Sequence, residues 1–255
     1  MQDVFVRQLK NATDEEIERI VAVNVAAFAD DEFNRILVGG DISILPLLMR
    51  AQIKAGLIGG EVYVAGFSHE DISSTAVWFG PGQEMLSSPE QGEAGFNEFM
   101  GAIGEDARNW WTDKFLPFYG ATTTEAFGED LKKANWHLQL LATEPRSQRK
   151  GLASALVRRV DELAREEGKA LTVETETEEA LAFYKANGFK LKAEKAVPTD
   201  AVEDVERPIP MYVCGRTTAL VQTPRYTHPE VVARNEHCSV EEPQICLQVS
   251  SFTPK

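Results

Sequence analysis

The chain has 255 residues, of which 43% are hydrophobic and 26% are charged, and its formal net charge is −14. This length and composition are typical of a globular protein with one large domain or two small ones, and they exclude a chain that is disordered throughout. The acidic balance argues against nucleic-acid binding, which requires patches of Lys and Arg. It would attract cationic small molecules, although solubility explains it equally well.

The N-terminus and the cysteines bear on location. Residues 1–10 lack the basic and then apolar layout of a signal peptide, and no apolar run approaches the roughly 18 residues of a membrane span. Cys214, Cys238 and Cys246 have no metal-ligand spacing, and their odd number argues against a disulfide framework. We expect a cytoplasmic protein with no metal and no membrane partner. No pattern indicates an oligomeric state.

Residues 1–80 predict strands and helices in alternation. Thr13 and Glu16 have the spacing of a capping box, and apolar residues follow them at helical intervals. The predicted elements are a strand at 4–9, a helix that starts at Thr13, a helix at 42–57, and a hairpin with strands at 61–67 and 72–79.

Two segments have weaker patterns. Residues 81–134 combine glycines, acidic residues and aromatics, and we interpret them as a partly helical insertion whose aromatic side chains form local core. A ligand-binding aromatic cluster is the alternative. Residues 216–255 contain several prolines and no sustained period, so we expect a loosely ordered tail after a single domain at 1–215.

The strongest pattern begins at His137. Residues 137–143 predict a buried strand, residues 151–167 predict a helix with one apolar face that Gly168 closes, and residues 171–174 predict another strand. A strand, a helix and a strand in sequence predict a parallel, right-handed βαβ unit. Further on, the pattern predicts a helix at 177–187 capped by Thr177 and strands at 189–193 and 209–214. The fold class is therefore α/β, with a mixed, mostly antiparallel sheet around a central parallel βαβ unit.

The turn before the helix at 151–167 concentrates positive charge where a helix disfavours it. Arg149 and Lys150 stand at the predicted N-terminus, beside the positive end of the helix dipole. An anion on the free backbone N–H groups would make these cations favourable, and Gly151 would let it approach closely. Alternatively, Arg149 and Lys150 are ordinary surface cations that Glu144 and solvent stabilise. A P-loop and a dinucleotide site are excluded, since the chain has neither GxxxxGK[ST] nor GxGxxG.

Two motifs resemble those of the GNAT acetyltransferases. Residues 148–153 (QRKGLA) are similar to the family's Gln/Arg-x-x-Gly-x-Gly/Ala signature, and residues 183–189 (FYKANGF) are similar to its (F/L)-Tyr-x-x-x-Gly-Phe segment. The resemblance implies the GNAT fold, acetyl-CoA as co-substrate and no metal. It also implies that the loop and helix start bind the pyrophosphate of acetyl-CoA and that the preceding strand binds its pantetheine arm. The implied cofactor-binding residues are Leu141, Ala142, Thr143, Gln148, Arg149, Lys150, Gly151, Leu152, Ala153 and Ser154.

The same resemblance implies catalytic roles. Tyr184 stands at the family's general-acid position, and a tyrosine remains protonated at neutral pH. His137 precedes Gly151 by the offset of the family's carboxylate base, and His137-x-Gln139 resembles the His-x-His of arylalkylamine-type members. Histidine titrates near 6.5 and can accept the proton of an amine, while Gln139 can only orient a water. A core tyrosine and a structural histidine are the alternatives.

Glu174 is a candidate for holding a cationic amine, whereas Glu178 and Glu179 are typical acids of a first helical turn. The leading hypothesis is an acetyl-CoA-dependent N-acetyltransferase that acts on a small amine, and residues 173–189 resemble the puromycin-type branch locally. One alternative is a protein acetyltransferase whose acidic insertion docks a basic peptide. Another is a non-catalytic acyl-CoA-binding module, against which the presence of both His137 and Tyr184 argues.

Overall fold

A computed structural model of the chain describes residues 2–129, 131–202, 204–205 and 207–217. These residues belong to one unit, Met1–Val221. The predicted tail at 216–255 falls outside the described residues except for its first two positions. Cys238 and Cys246 fall outside them altogether.

Strands and helices follow one another along the described chain. The strands are β1 (Phe5–Leu9), β2 (Glu61–Gly66), β3 (Ser74–Phe79), β4 (Trp136–Thr143), β5 (Leu171–Thr175), β6 (Lys190–Ala196) and β7 (Pro210–Arg216). The α-helices are α1 (Asp14–Ala27), α2 (Glu32–Leu37), α3 (Leu45–Gly59), α4 (Pro89–Gln91), α5 (Asn97–Ala102), α6 (Glu105–Trp110), α7 (Leu116–Phe127), α8 (Leu152–Glu166) and α9 (Glu178–Ala186). Short 3₁₀ turns lie at Ile42–Ile44 and Pro145–Ser147, and π-helical turns lie at Gly92–Phe96 and Trp111–Phe115.

Within the described residues, seven strands form one sheet in the order β1-β2-β3-β4-β5-β7-β6. β4 and β5 run parallel, with residues 136–138 opposite residues 171–173, and α8 connects them. The other neighbouring strands in this sheet are antiparallel. The predicted mixed sheet with a central βαβ unit is confirmed.

The sheet separates two apolar layers. α1, α3 and the insertion pack on one face, with Ile20, Ile53 and Trp111 among the buried side chains. α8 and α9 pack on the other face, with Leu156 and Tyr184 buried there. Because alternate residues of β2 and β3 enter alternate layers, both faces of these strands are covered.

The aromatic residues of the insertion are core, as predicted. Trp110, Trp111 and Phe115 are buried in the layer beside α3, and Trp111 donates its indole N–H to the Leu37 carbonyl at 2.8 Å. Trp111 and Phe115 also line a cavity described below. Side chains of this cluster can therefore belong to the core and also form part of the wall of a ligand site.

Among the residues that the structure describes, one helix has the length and composition of a membrane span. The segment Ile42–Gly59 has a mean hydropathy of 1.3, and 44% of it is buried within the protein. Its α3 portion packs against α1, β2 and β3. A helix that covers the face of a sheet in this way is apolar because it belongs to the core.

The caps of α1 and α9 were predicted correctly from the sequence, whereas helix α2 was not predicted. The Thr13 hydroxyl accepts from the Glu16 backbone N–H, and the Glu16 carboxylate accepts from the Thr13 N–H, which completes the expected capping box. Thr177 caps α9 through the Ala180 N–H. α2 was missed because its six residues are too few to show a helical period.

Candidate active site

The parallel strands β4 and β5 separate towards their C-terminal ends. They pair as far as Leu138 and Val173, and beyond that point the described part of β4 pairs with β3 alone. The backbone groups at 139–143 that face β5 are therefore left without a strand partner. An extended ligand can pair with such an edge as an added strand, which is the role expected of Leu141, Ala142 and Thr143.

A bulge in β4 directs side chains towards this opening. Residues 77–78 of β3 lie opposite Leu140 and Leu138, so Gln139 has no partner on β3. Leu138 packs on the α8 side of the sheet and Leu140 packs on the α3 side, which breaks the usual alternation. Gln139 Nε2 donates to Gln52 Oε1 of α3 at 3.2 Å. Gln139 is thus fixed by α3.

Glu144 anchors the turn that follows β4. Its carboxylate accepts hydrogen bonds from Arg19 at 2.7 Å, Arg146 at 2.8 Å, Ser73 at 3.1 Å and Ser147 at 3.2 Å. Burial pushes the pKa of Glu144 upward, but the hydrogen bonds from the arginines and Ser73 outweigh burial and lower it to about 2. The alternative explanation of the loop's charge, neutralisation by Glu144, therefore holds for Arg146.

The other two cations of the loop stay exposed at the start of α8. Arg149 and Lys150 form no ion pair with any residue that the structure describes, and Lys150 Nζ donates to the Arg146 carbonyl at 2.8 Å. Arg149 has a φ of 61° and Gly151 a φ of 88°, so the backbone turns through left-handed conformations here. These turns bring the chain sharply into the helix.

The start of α8 has the features of an anion site. No side chain caps this helix, its first turn contains no acid, and its N-cap is Gly151. A Cβ added at Gly151 would meet no atom within 4 Å, so the surface above it is open. The backbone N–H groups of the first turn have no partner within a helix and carry the positive end of its dipole. Together with Arg149 and Lys150, they fit a pyrophosphate.

A cavity of about 300 Å³ lies where β4 and β5 separate. α2, the insertion, β4, β5 and α9 all contribute to its walls. It brings together five of the residues singled out in the sequence: His137, Gln139, Leu141, Glu174 and Tyr184. The loop at 148–154 does not line the cavity and lies beyond the C-terminal end of β4.

His137 is buried and neutral. Its Nδ1 lies 3.1 Å from the Thr172 hydroxyl, which in turn lies 3.3 Å from the Trp136 carbonyl. Because the hydroxyl gives its proton to the carbonyl, it accepts from Nδ1–H, and Nε2 keeps its lone pair. Burial lowers the pKa of His137 well below 6.5, and the Lys132 cation lowers it further. Nε2, which lies 3.4 Å from Glu174 Oε2, is therefore available as a base.

Glu174 is held by residues of the insertion. The Tyr119 hydroxyl donates to Glu174 Oε2 at 2.7 Å, and Lys132 Nζ lies 3.8 Å from the same oxygen. The second oxygen, Oε1, is buried and has no hydrogen-bond partner among the described residues. A buried carboxylate oxygen without a partner is unfavourable. Oε1 is thus available to a cationic group in the cavity.

A further acid, Glu176, lies beside Glu174 in the cavity wall and holds its proton more readily than a free carboxyl does. Burial raises the pKa of Glu176 well above its ordinary 4.5, and the neighbouring Asp31 and Glu174 raise it further. A cation would relieve the repulsion between these acids. In the described part of the chain, no group of three or more His, Cys, Asp or Glu residues has the arrangement of a metal site.

Tyr184 belongs to the apolar layer beside α8 and also lines the cavity. Its ring packs edge-on against Phe183 and Phe189, with centroids 5.2 and 5.4 Å away. Burial raises the pKa of Tyr184 above its ordinary range, and Glu176 adds to this effect. The hydroxyl is therefore protonated at every physiological pH. The core interpretation therefore holds for its ring, and the catalytic role of its hydroxyl stays a prediction for a residue that lines the cavity.

Tyr119, Lys132 and Glu176 were not predicted as site residues. Tyr119 belonged to the aromatic group of the insertion, and Lys132 stands in an ordinary polar stretch without a motif. No local signal could have found Lys132, since its partners lie on α7 and β5.

Residues 117–191 match a family model described as an acetyltransferase (GNAT) domain. The match runs from α7 into β6 and includes the open strand edge, the loop and α9. Arylalkylamine N-acetyltransferase 2 from Aedes aegypti is 15% identical, with a TM-score of 0.56, over 85% of this chain and 99% of that one. A histone acetyltransferase HPA2 and related acetyltransferase from Corynebacterium glutamicum is 21% identical, with a TM-score of 0.54, over 86% and 99%. At these identities the structural likeness concerns the fold.

Proposed function

Because residues 117–191 match the model of an acetyltransferase (GNAT) domain, we propose that the protein is an acetyl-CoA-dependent N-acetyltransferase that transfers an acetyl group directly to a small amine. One observation carries the proposal: a neutral imidazole, a protonated tyrosine and an unpartnered carboxylate oxygen line a single cavity of about 300 Å³. A cavity of this volume suits a small molecule. Its excess of carboxylates favours an acceptor that enters as an ammonium.

The residues at the start of α8 and along β4 fit acetyl-CoA, which when bound supplies the acetyl group as a reactive thioester. The backbone of 148–154, with Arg149 and Lys150, would hold the pyrophosphate. The free edge at 141–143 would hold the pantetheine arm. These two sets of residues are continuous in the chain, so one ligand can extend from the loop towards the cavity.

The cavity residues divide the proton transfers between them. Glu174 Oε1 binds the ammonium, and His137 Nε2 takes its proton directly or through a water that Gln139 orients. The imidazolium then faces Glu174 Oε2, 3.4 Å away, which stabilises the new charge. Tyr184 holds a proton at its hydroxyl for the departing sulfur.

The composition of the chain supports a cellular location and a class of partner. We infer a cytoplasmic protein, since the cysteines suggest no disulfide framework and the Cys214 thiol is buried in the core. We infer neither a nucleic-acid nor a membrane partner, because the net charge of −14 repels phosphate surfaces.

A mass-shift screen tests the acceptor class. The protein and acetyl-CoA are incubated with primary amines, with the corresponding amino acids and with lysine-containing or free N-terminal peptides. We expect a gain of one acetyl group on amines that lack a carboxylate. Acetylation confined to peptides would make the chain a protein acetyltransferase instead. Acetyl-CoA binding without any acetylated product would make it a binding module.

The pH dependence tests His137 as the base. We expect the rate to rise with pH through a midpoint below 6.5, because the lowered pKa keeps the imidazole neutral to lower pH. His137→Ala should flatten this limb and lower kcat, with partial recovery at high pH, where the free amine needs no base. Acetyl-CoA affinity and the melting temperature serve as controls. A stable, cofactor-binding variant with the native pH profile would exclude the base role.

A further inference from the structure

The insertion brings a largely buried cation to the cavity. Lys132 Nζ donates to the Tyr119 hydroxyl and lies 4.2 Å from the centroid of the Tyr119 ring. The Lys132 side chain is 16% exposed. Removing an ammonium from water is unfavourable unless partners compensate. Here Tyr119 and Glu174 are those partners.

The contacts form a chain of donors that ends beside the base. Lys132 donates to Tyr119, Tyr119 donates to Glu174 Oε2 at 2.7 Å, and Glu174 Oε2 lies 3.4 Å from His137 Nε2. Because Tyr119 and Lys132 already engage Oε2, this oxygen attracts a proton onto Nε2 less strongly than a free carboxylate would. The same contacts hold Oε2 in place and leave Oε1 unpartnered.

From this geometry, and resting on the proposed function, we propose that Lys132 is a positioning residue of the acceptor site. It fixes the Glu174 carboxylate through Tyr119, and its charge keeps the lone pair of His137 free. The insertion thereby adds to the effect of burial on the pH range in which the base works. Lys132 itself does not need to touch the reacting atoms.

The other charges around the cavity oppose the effect of this cation on His137. Besides Tyr119 and Tyr184, the ionisable side chains that line the cavity with His137 are Asp31, Glu84, Lys132, Lys133, Glu174 and Glu176. Glu176 contributes little charge because burial raises its pKa, but the other three acids still outnumber the two lysines. Glu84 and Lys133 are exposed. Without Lys132, the carboxylates would stabilise an imidazolium, and His137 would hold a proton at higher pH. A protonated His137 cannot accept a proton from the amine substrate.

The test is an NMR titration of the imidazole in the full chain, which requires no turnover. The signal of His137 is identified among those of the four histidines by its loss in His137→Asn. We expect Lys132→Met to raise the midpoint of the His137 titration by roughly half a pH unit or more, as loss of a nearby like charge does. Lys132→Arg keeps the charge and should restore the native midpoint. Lys133→Met removes the same charge from the exposed neighbour and should have a smaller effect.

The pH profile of kcat/KM provides a second measurement. Its acidic limb should move in Lys132→Met by the same amount as the imidazole midpoint. If Lys132→Met does not fold, Lys132→Gln provides the same loss of charge. The positioning role would be overturned if a folded Lys132→Met or Lys132→Gln variant kept the native titration midpoint of His137. It would also be overturned if Lys132→Met and Lys133→Met shifted that midpoint equally. A protein without acetyltransferase activity would contradict the proposed function, while the imidazole titration would still decide the role of Lys132.

Discussion

Gly151→Glu is expected to abolish acetyl-CoA binding. The new side chain would occupy the open surface above the N-terminus of α8, which is the surface proposed to bind the pyrophosphate. Its carboxylate would repel the phosphates and would pair with Arg149 or Lys150 in their place. We expect the affinity measured by calorimetry to fall by roughly 100-fold or more, which corresponds to the loss of several charge-assisted hydrogen bonds.

Gly128→Glu is a matched control. Gly128 has a φ of 82°, close to the 88° of Gly151, and a Cβ at either position would meet no atom within 4 Å. Both substitutions therefore add the same charge and a similar backbone strain at an exposed site. Gly128→Glu should bind acetyl-CoA like the native protein. Because Gly128 is the C-cap of α7 and Gly151 is the N-cap of α8, the melting temperature of Gly128→Glu should fall at least as far as that of Gly151→Glu. Equal affinities in the two variants would show that the anion site lies elsewhere.

The fold was predictable because its signals are local, and the proposed cofactor site was inferred from signals of the same kind. Thr13, Thr177 and Gly168 mark helix ends through hydrogen bonds or backbone conformations that involve a few neighbouring residues. The loop at 148–153 likewise combines a turn, a glycine and the start of a helix in one short stretch. Such signals can be read without knowledge of the tertiary structure.

The acceptor site was only partly predictable because its groups meet through the tertiary structure. The Tyr119 hydroxyl and Glu174 Oε2 join across 55 residues of chain, and no periodicity records that contact. The pKa of His137 also depends on tertiary structure. Burial and the Lys132 cation lower it below the ordinary histidine value of 6.5, which was expected from the sequence. The bulge that leaves Gln139 without a partner on β3, with its amide bonded to Gln52 of α3, likewise has no signal in the sequence of residues 137–143. Distant residues thus determine the chemistry of the site.

Tyr184→Phe is expected to lower kcat by roughly 10²–10⁴-fold, the usual contribution of a positioned proton donor. The hydroxyl is protonated because burial and Glu176 raise the pKa of Tyr184. Phenylalanine keeps the ring contacts with Phe183 and Phe189, so the fold and the acetyl-CoA affinity should change little. The loss should therefore appear in kcat, measured in a single-turnover assay in which chemistry limits the rate.

Tyr212→Phe separates a catalytic effect from a packing effect. Tyr212 and Tyr184 are each 6% exposed and share the apolar layer beside α8, but Tyr212 does not line the cavity. If the loss of a tyrosine hydroxyl from this apolar layer acted through packing, both substitutions would lower the melting temperature and the rate together. We expect Tyr212→Phe to retain native turnover. Full single-turnover activity in Tyr184→Phe would mean that solvent or another side chain protonates the departing sulfur, and Tyr184 would then serve only as a core residue.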